Sequence, residues 1–386
     1  MRILVLCYEY PPIGGGGGRV AKSVAEQLVL RGHEVRVQTA ALGLFSEQET
    51  INGVQVFRTA SGRQSPDTCR VPEMGVYLAT SLLPVLRQCT RWGPDVIHAH
   101  FAMPTGVLAL AVHRLTRIPY VLTAHLGDVP GGVPEQTDRL FRYAGGVARQ
   151  VWKHAAGATA VSDFVRKLAE RAYERPVQRI LNGVDLTHRP PRPAELRAGP
   201  RHLVFLGRLN AQKNAPLLLD ALARIPGLPW RLTVIGDGPD MGALRQRIAQ
   251  YWMAEKVKLA GWRNAAEVAD LLNTADVLCM PSSSEGMPVA AVEALRHGLA
   301  LAGTDIPGLR DVLAPGANGL TAPVGHVAAY ANILRTMLTD GGKLLAFRQA
   351  SWDKAADFDL PKIAAEYEAV LERCRRRGAG ARLPRD

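Results

Sequence analysis

Short apolar runs recur along this chain, each followed by a turn of glycine or small polar residues and then by a segment with helical periodicity. Arg2–Cys7, Val35–Thr39, Asp95–His100, Tyr120–Ala124 and Ala158–Val161 form one series. His202–Leu206, Arg231–Ile235, Val257–Ala260, Val277–Met280 and Leu299–Gly303 form a second. Runs this short and this apolar predict strands buried on both faces of a parallel sheet, with the helical segments as crossovers. Between the series, Thr187–Pro200 is rich in proline and arginine and has no periodicity, which predicts a linker. The expected class is therefore α/β, with two doubly wound domains over residues 1–185 and 186–360. A chain of 386 residues is long enough for two cores and exceeds a single typical one.

Composition removes several function classes. With 47% hydrophobic and 21% charged residues the chain is globular, and no apolar run is long enough to span a bilayer. Met1 leads straight into a strand, so no signal peptide is expected. Cys7, Cys69, Cys89, Cys279 and Cys374 are scattered without CxxC spacing, which predicts a reduced, cytoplasmic protein with no structural zinc. The net charge of +12 calls for anionic substrates or an anionic surface. Nucleic acid is disfavoured, because basic stripes interleaved with aromatics are missing. The apolar stretch within the predicted helix Val76–Arg91 is either core or a membrane-docking face.

The second series carries the densest chemistry. Strand Val277–Met280 turns through Ser282–Ser283–Ser284–Glu285–Gly286 and enters a helix, with Pro288 expected at its first position. Glu285 precedes that helix and Glu293 lies inside it, so both carboxylates can reach one cleft, while the amides at the helix start offer an anion site. By spacing alone the pair is equally compatible with an ordinary βα turn carrying two solvated glutamates. After strand His202–Leu206, Arg208 and Lys213 place a planar guanidinium and a point charge in one loop, a second anion site. Gly236–Asp237–Gly238–Pro239 and Gly261–Trp262 follow two further strands, and Asp305–Ile306–Pro307–Gly308 turns into Leu309–Leu313.

In the first series, Gly14–Gly18 lies between strand and helix, where a backbone can approach phosphate closely. It does not fit a dinucleotide fingerprint: the third glycine would fall on Arg19, and no GxxxxGK[ST] is present. His98 and His100 are expected on opposite faces of their strand, which argues against joint metal ligation. His125 and Asp128 sit at the carboxyl end of strand Tyr120–Ala124, the edge at which doubly wound sheets bind ligands. Pro134–Ala155 predicts a long helix broken at Gly145–Gly146, and Ser162 a helix cap.

Taken in order, these features resemble the retaining glycosyltransferases of family 4, whose GT-B fold pairs two facing Rossmann-like domains. The resemblance rests on Pro11–Pro12 with Gly14–Gly18 and Arg19, the His98/His100 strand end, Thr123–Ala124–His125 and Ser162–Asp163. It continues through Asn182–Gly183–Val184–Asp185, Gly207–Arg208–Leu209 with Lys213, Gly236–Asp237–Gly238–Pro239, and Glu285 with Glu293. It implies a helix over 361–386 crossing back onto the first domain. It also implies that amides near Gly15, Gly16 and Gly17 contact the donor diphosphate or shape the acceptor entrance. Arg208 and Lys213 would neutralise the leaving diphosphate, Glu293 would bind the ribose, and His125 would lie under the sugar. Glu285, with amides after it in the Gly286–Met287–Pro288 turn, would hold sugar hydroxyls, and the base would sit near Gly261–Trp262.

The activity so implied is transfer of a sugar from a nucleotide-diphosphate sugar, uridine first and guanosine second, to a glycan or lipid-linked acceptor, with no metal required. A cytoplasmic protein peripheral to the inner membrane face fits that role. Acceptor contacts would fall in the loops near Leu42–Thr50 and Thr59–Pro72. A sugar-phosphate synthase or phosphorylase on the same fold, or an NAD-dependent oxidoreductase, are the alternatives. The chain departs from the pattern at Leu126, which intervenes where His-Gly is usual, at Leu309–Arg310 before Asp311, and at His326, where an acid is usual.

Overall fold

The computed structural model describes residues 1–43, 47–66 and 69–379, without the side chains of 134–143 and 377–379. Residues 44–46 and 67–68, within the two stretches assigned to acceptor contacts, lie outside the described residues. The chain divides into two compact units: residues 1–183 with 360–386, and residues 184–359.

Unit 1 is built on strands β1 (Arg2–Leu6), β2 (Glu34–Leu42), β3 (Glu47–Ile51), β4 (Val54–Arg63), β5 (Val96–His100), β6 (Tyr120–Ala124), β7 (Gly157–Ala160) and β8 (Gln178–Arg179). They form one sheet in the order β3-β4-β2-β1-β5-β6-β7-β8. All pairs are parallel except β3 with β4. Helices α1 (Gly16–Leu30), α2 (Val71–Arg91), α3 (Val107–Thr116), α4 (Pro134–His154) and α5 (Asp163–Tyr173) supply the crossovers. β1, β5 and β6 are buried along almost their whole length, as a sheet covered on both faces requires, with His98 and His100 the polar members of β5.

Unit 2 carries β9 (Arg201–Leu206), β10 (Trp230–Ile235), β11 (Val257–Gly261), β12 (Val277–Met280), β13 (Ala300–Thr304) and β14 (Gly319–Ala322), all parallel, in the order β11-β10-β9-β12-β13-β14. Around them pack α6 (Ala215–Leu222), α7 (Met241–Gln250), α8 (Ala265–Asn273), α9 (Val289–Arg296), α10 (Val327–Thr339) and α11 (Gly341–Lys354). The core gathers Leu203, Phe205, Leu218, Leu222, Leu334 and Phe347 from strands and helices alike. In each sheet the winding reverses once, between β1 and β5 in unit 1 and between β9 and β12 in unit 2.

The last helix, α12 (Leu360–Ala379), belongs to unit 1. Tyr367 is fully buried in that unit with its ring 5.2 Å from that of His98. Glu368 takes Arg31 Nε at 2.6 Å and His33 Nε2 at 2.7 Å at the end of α1. Gly157 leaves room for Cys374: a Cβ there would stand 2.7 Å from the Cys374 sulfur.

Several local expectations are corrected. α4 runs without interruption through Gly145–Gly146, because backbone hydrogen bonding tolerates glycine and only weakens the helix. α1 begins at Gly16, so three of the five glycines form its first turn. Pro288 is the N-cap of α9 and not its first residue. His98 and His100 share a face, since side chains two positions apart on a strand point the same way; their rings lie 4.3 Å apart. The opposite-face argument against joint ligation therefore falls, although no cluster of three or more metal-ligating side chains occurs among the described residues. Ser162 does cap α5, accepting the Val165 N–H, and His326 caps α10 through Nδ1, filling the place an acid would take. Cys7 and Cys279 are buried thiols whose pKa burial pushes up, which leaves them inert small hydrophobes.

Tyr367→Ala is expected to destabilise unit 1 by about 3–5 kcal/mol, the usual cost of emptying a buried aromatic site. Urea denaturation of the full chain checks it, and an unchanged midpoint would mean that α12 is not anchored there.

Candidate functional site

At the reversal in unit 2, the loops after β9 and β12 run to opposite faces of the sheet, leaving their backbone ends open at the carboxyl edge. The β9 loop carries Gly207, Arg208 and Lys213; the β12 loop carries Ser282 through Pro288. Lys213 Nζ lies 2.6 Å from Glu285 Oε1, so an ion pair joins the two loops across the reversal. The Glu285 side chain is 6% exposed and that of Lys213 22%. Ser282, itself buried, donates its hydroxyl to the same oxygen at 2.8 Å. Glu285 is thus no solvated glutamate.

Gln212 fixes this register. Its carbonyl accepts the Ser283 N–H at 2.8 Å, and its side-chain amide donates to the Ser284 carbonyl at 2.9 Å. From the neighbouring strand, the buried Thr304 hydroxyl donates to the Ser282 carbonyl. Gly308 packs so closely beneath the loop that a Cβ would overlap the Glu285 carbonyl oxygen. Sequence reasoning missed Gln212, Ser282 and Thr304. The only signal was a polar residue next to a charged one in each loop, which marks any turn.

The other residues singled out in unit 2 are placed as follows. Arg208 is half-buried in the turn after β9, where the Leu209 N–H donates to the Asp237 carbonyl at 2.9 Å. Gly286, Met287 and Pro288 are buried at the approach to α9. Glu293 stands within α9, its side chain 34% exposed and 3.8 Å from Arg296. Gly261 ends β11 with φ +69°, its carbonyl accepting the Gly236 N–H, and Trp262 beyond it is 61% exposed.

Unit 1 repeats the plan. The segment after β1 carries Glu9 and the glycines, the β5 end carries His100 and Phe101, and the β6 end carries His125. Glu9 Oε2 accepts the Gly15 N–H at 3.2 Å. The His125 ring stacks on Phe101 with centroids 4.4 Å apart. Gly17 lies against this stack: a Cβ there would come 2.5 Å from Phe101 and 3.3 Å from His125. Gly16 precedes it in the first turn of α1. The Nδ1 of His100 is 3.4 Å from Nε2 of His125. Burial pushes His125 down to about 4 and His98 to about 3, and holds His100 far below the ordinary histidine value. All three rings are neutral near pH 7. Glu9 and Phe101 were not foreseen, because what they touch is decided by distant strands.

The reversal of unit 2 thus holds a buried glutamate, a half-buried lysine paired with it, and an arginine in the same loop as that lysine. The chain matches known proteins on the same terms. Residues 14–188 match the family described as Glycosyltransferase Family 4, and residues 191–354 match glycosyl transferases group 1. The chain belongs to family 4 of the glycosyltransferases and has their GT-B fold. It is similar to glycogen synthase of Mycobacterium tuberculosis, 26% identical over all of this chain and 97% of that protein. Its fold is similar to that of sucrose-phosphate synthase from Thermosynechococcus elongatus, with TM-score 0.83 at 19% identity over 96% of this chain and 98% of that one. It is also similar to that of Anabaena HepE in complex with UDP-glucose, with TM-score 0.76 at 19% identity over 96% and 99% of the two chains. The NAD-dependent oxidoreductase considered from the sequence is thereby set aside.

Removing either partner of the Lys213–Glu285 pair leaves a buried or half-buried charge uncompensated. Lys213→Met is expected to cost about 3 kcal/mol, and Glu285→Gln in the same background to recover part of it. A double-mutant cycle by thermal denaturation checks this; strictly additive effects would mean that the two groups do not interact.

Proposed function

We propose that this glycosyltransferase moves a hexose from a UDP-sugar to a hydroxyl of a polysaccharide or lipid-linked acceptor, with retention at the anomeric carbon. The observation that carries the reading is the Lys213–Glu285 pair at the reversal of unit 2, with Arg208 in the same loop as Lys213. Cations fixed at the start of a reaction stabilise negative charge that grows on a leaving diphosphate, and do so more in the transition state than in the ground state. Carboxylates suit hydroxyl donors: Glu285 would hold the sugar, with the amides of Gly286 and Met287 and the turn at Pro288, and Glu293 the ribose. The base would lie near Gly261 and Trp262. In unit 1, His125 would serve the sugar and the amides of Gly15, Gly16 and Gly17 the diphosphate or the acceptor entrance.

The bond from anomeric carbon to phosphate oxygen breaks with both electrons going to the diphosphate. The acceptor oxygen forms the new bond from the same face, and a diphosphate oxygen takes its proton. Arg208 and Lys213 meet the charge that a metal ion meets in other diphosphate chemistry. The likeness of the fold to a protein solved with UDP-glucose, and of the sequence to a glycogen synthase, supports a UDP-sugar and a glycan product.

UDP and UDP-glucose are expected to raise the melting temperature of the full chain, with or without EDTA, and NAD to leave it unchanged. A ligand at 100 times its dissociation constant adds about 2.7 kcal/mol. Lys213→Ala should lose most of the shift. Glu285→Ala and His125→Ala should keep the UDP shift and lose sugar transfer. A shift with NAD alone, or full transfer by Glu285→Ala, would overturn the reading.

A membrane-proximal acceptor is supported by α2. Val71, Val76 and Leu83 are 63%, 40% and 54% exposed, with Arg87 and Arg91 exposed further along the helix. No described helix is long and apolar enough to cross a membrane, so we infer peripheral docking at the inner face. Vesicles containing phosphatidylglycerol should bind the chain at low salt, and Leu83→Asp should weaken that binding. Equal binding by the variant would remove α2 from the contact.

A further inference from the structure

We propose that Asp128 is the positioning residue for His125: its carboxylate fastens the turn that carries His125 to the turn that carries Phe101, and so sets where the imidazole stands. The inference rests on the role of His125 given above. Leu126, the departure from the family pattern, belongs to a 3-10 turn, Leu126–Asp128, at the end of β6. That turn curls the Asp128 side chain back over its own start. Oδ2 accepts the His125 N–H at 2.8 Å, and Oδ1 accepts the Ala102 N–H at 2.6 Å. One carboxylate thus joins the ends of β5 and β6.

The fastening holds a costly conformation. Phe101 sits at φ +73°, a region that bulky side chains avoid and that persists only where the surroundings impose it. Its carbonyl accepts the Gly106 N–H, and its ring meets Tyr8 edge-on at 5.1 Å and His125 in the stack. Ala102, the next residue, is the one Asp128 grips. Releasing that grip frees Phe101 to relax and removes the platform under His125.

Asp128 is 3% exposed. Around it stand Cys7, Tyr8 and Glu9 from the segment after β1, Ala102 and Met103 beyond the β5 end, His125 from its own turn, and Tyr173 from α5, whose hydroxyl donates to the Asp128 carbonyl at 3.5 Å. Arg63 acts on Cys7 and Tyr8 in the same pocket. Burial, with Glu9 adding to it, pushes the Asp128 carboxyl up to about 7, against the pull of the backbone N–H groups. Those groups are donors. Protonation turns one acceptor oxygen into a hydroxyl facing an N–H, so the fastening is complete well above pH 7 and weakens as pH falls through it.

The test is an amide and imidazole NMR titration of the full-length, isotope-labelled chain across about pH 6 to 8, the window set by that carboxyl. In the wild type, the amides of His125 and Ala102 are expected to share one inflection near pH 7. Asp128→Asn should lose both inflections and shift the His125 ring signals, through loss of the ring current from Phe101. Asp128→Glu should restore a titrating acceptor. Absence of the shared inflection in the wild type, or unchanged His125 ring signals in Asp128→Asn, overturns the proposal. Should Asp128→Asn fail to fold, the wild-type titration still decides. The transfer assay of His125→Ala tests the role of His125 separately, so the two failures are distinguishable.

Discussion

A parallel sheet cannot be closed by hairpins. Each strand reaches its parallel neighbour by a crossover over one face, and where the winding reverses, two adjacent strands send their loops to opposite faces. The gap so created leaves that part of the carboxyl edge open between its own connections. Both units of this chain place their charged and aromatic side chains there: Lys213 and Glu285 beyond β9 and β12, the glycine run and the His125–Phe101 stack beyond β1, β5 and β6. Core packing, crossover length and strand order all serve to hold those loop ends in register.

Within unit 2 the pair is held at some cost. Burying a carboxylate loses its hydration, and only close pairing with further hydrogen bonds offsets that loss. Glu285 has both: the Lys213 ammonium at 2.6 Å and the Ser282 hydroxyl at 2.8 Å on one oxygen. Gln212 gives this arrangement a fixed geometry, because its carbonyl ties main chain to main chain at Ser283 and its side-chain amide adds a second bond to the Ser284 carbonyl. Gly308 then lets the neighbouring turn close beneath the loop without a side chain in the way. A charge pair preorganised in this manner needs little rearrangement when charge develops nearby.

Unit 1 solves a different problem with neutral groups. His98, His100 and His125 are stacked side by side in a buried layer where a second positive charge would be repelled by the first, and burial keeps all three neutral. Tyr367 from α12 closes one end of that layer and Phe101 the other. The final helix is therefore part of the unit that contains the first residue: its aromatic ring, the Glu368 contacts to Arg31 and His33, and the fit of Cys374 over Gly157 complete a core that residues 1–183 leave open.

Much of this was written in the chain itself. Apolar runs too short for helices and too continuous for half-exposed strands determine a parallel sheet. The linker at Thr187–Pro200 marks the passage from one strand series to the next, and the polar turns after β9 and β12 locate Arg208, Lys213 and Glu285, because local composition alone dictates where strands end. The path of α4 through Gly145–Gly146, the capping position of Pro288 and the common face of His98 and His100 are also local properties, recoverable from backbone geometry. What only the tertiary structure decided is which distant loops meet. That Lys213 pairs with Glu285, that Gln212 binds the Ser283–Ser284 backbone, and that Asp128 reaches Ala102 depend on strand order. Strand order is set by how whole helices cover two faces of a sheet, a property of the assembled core and of no single stretch of sequence.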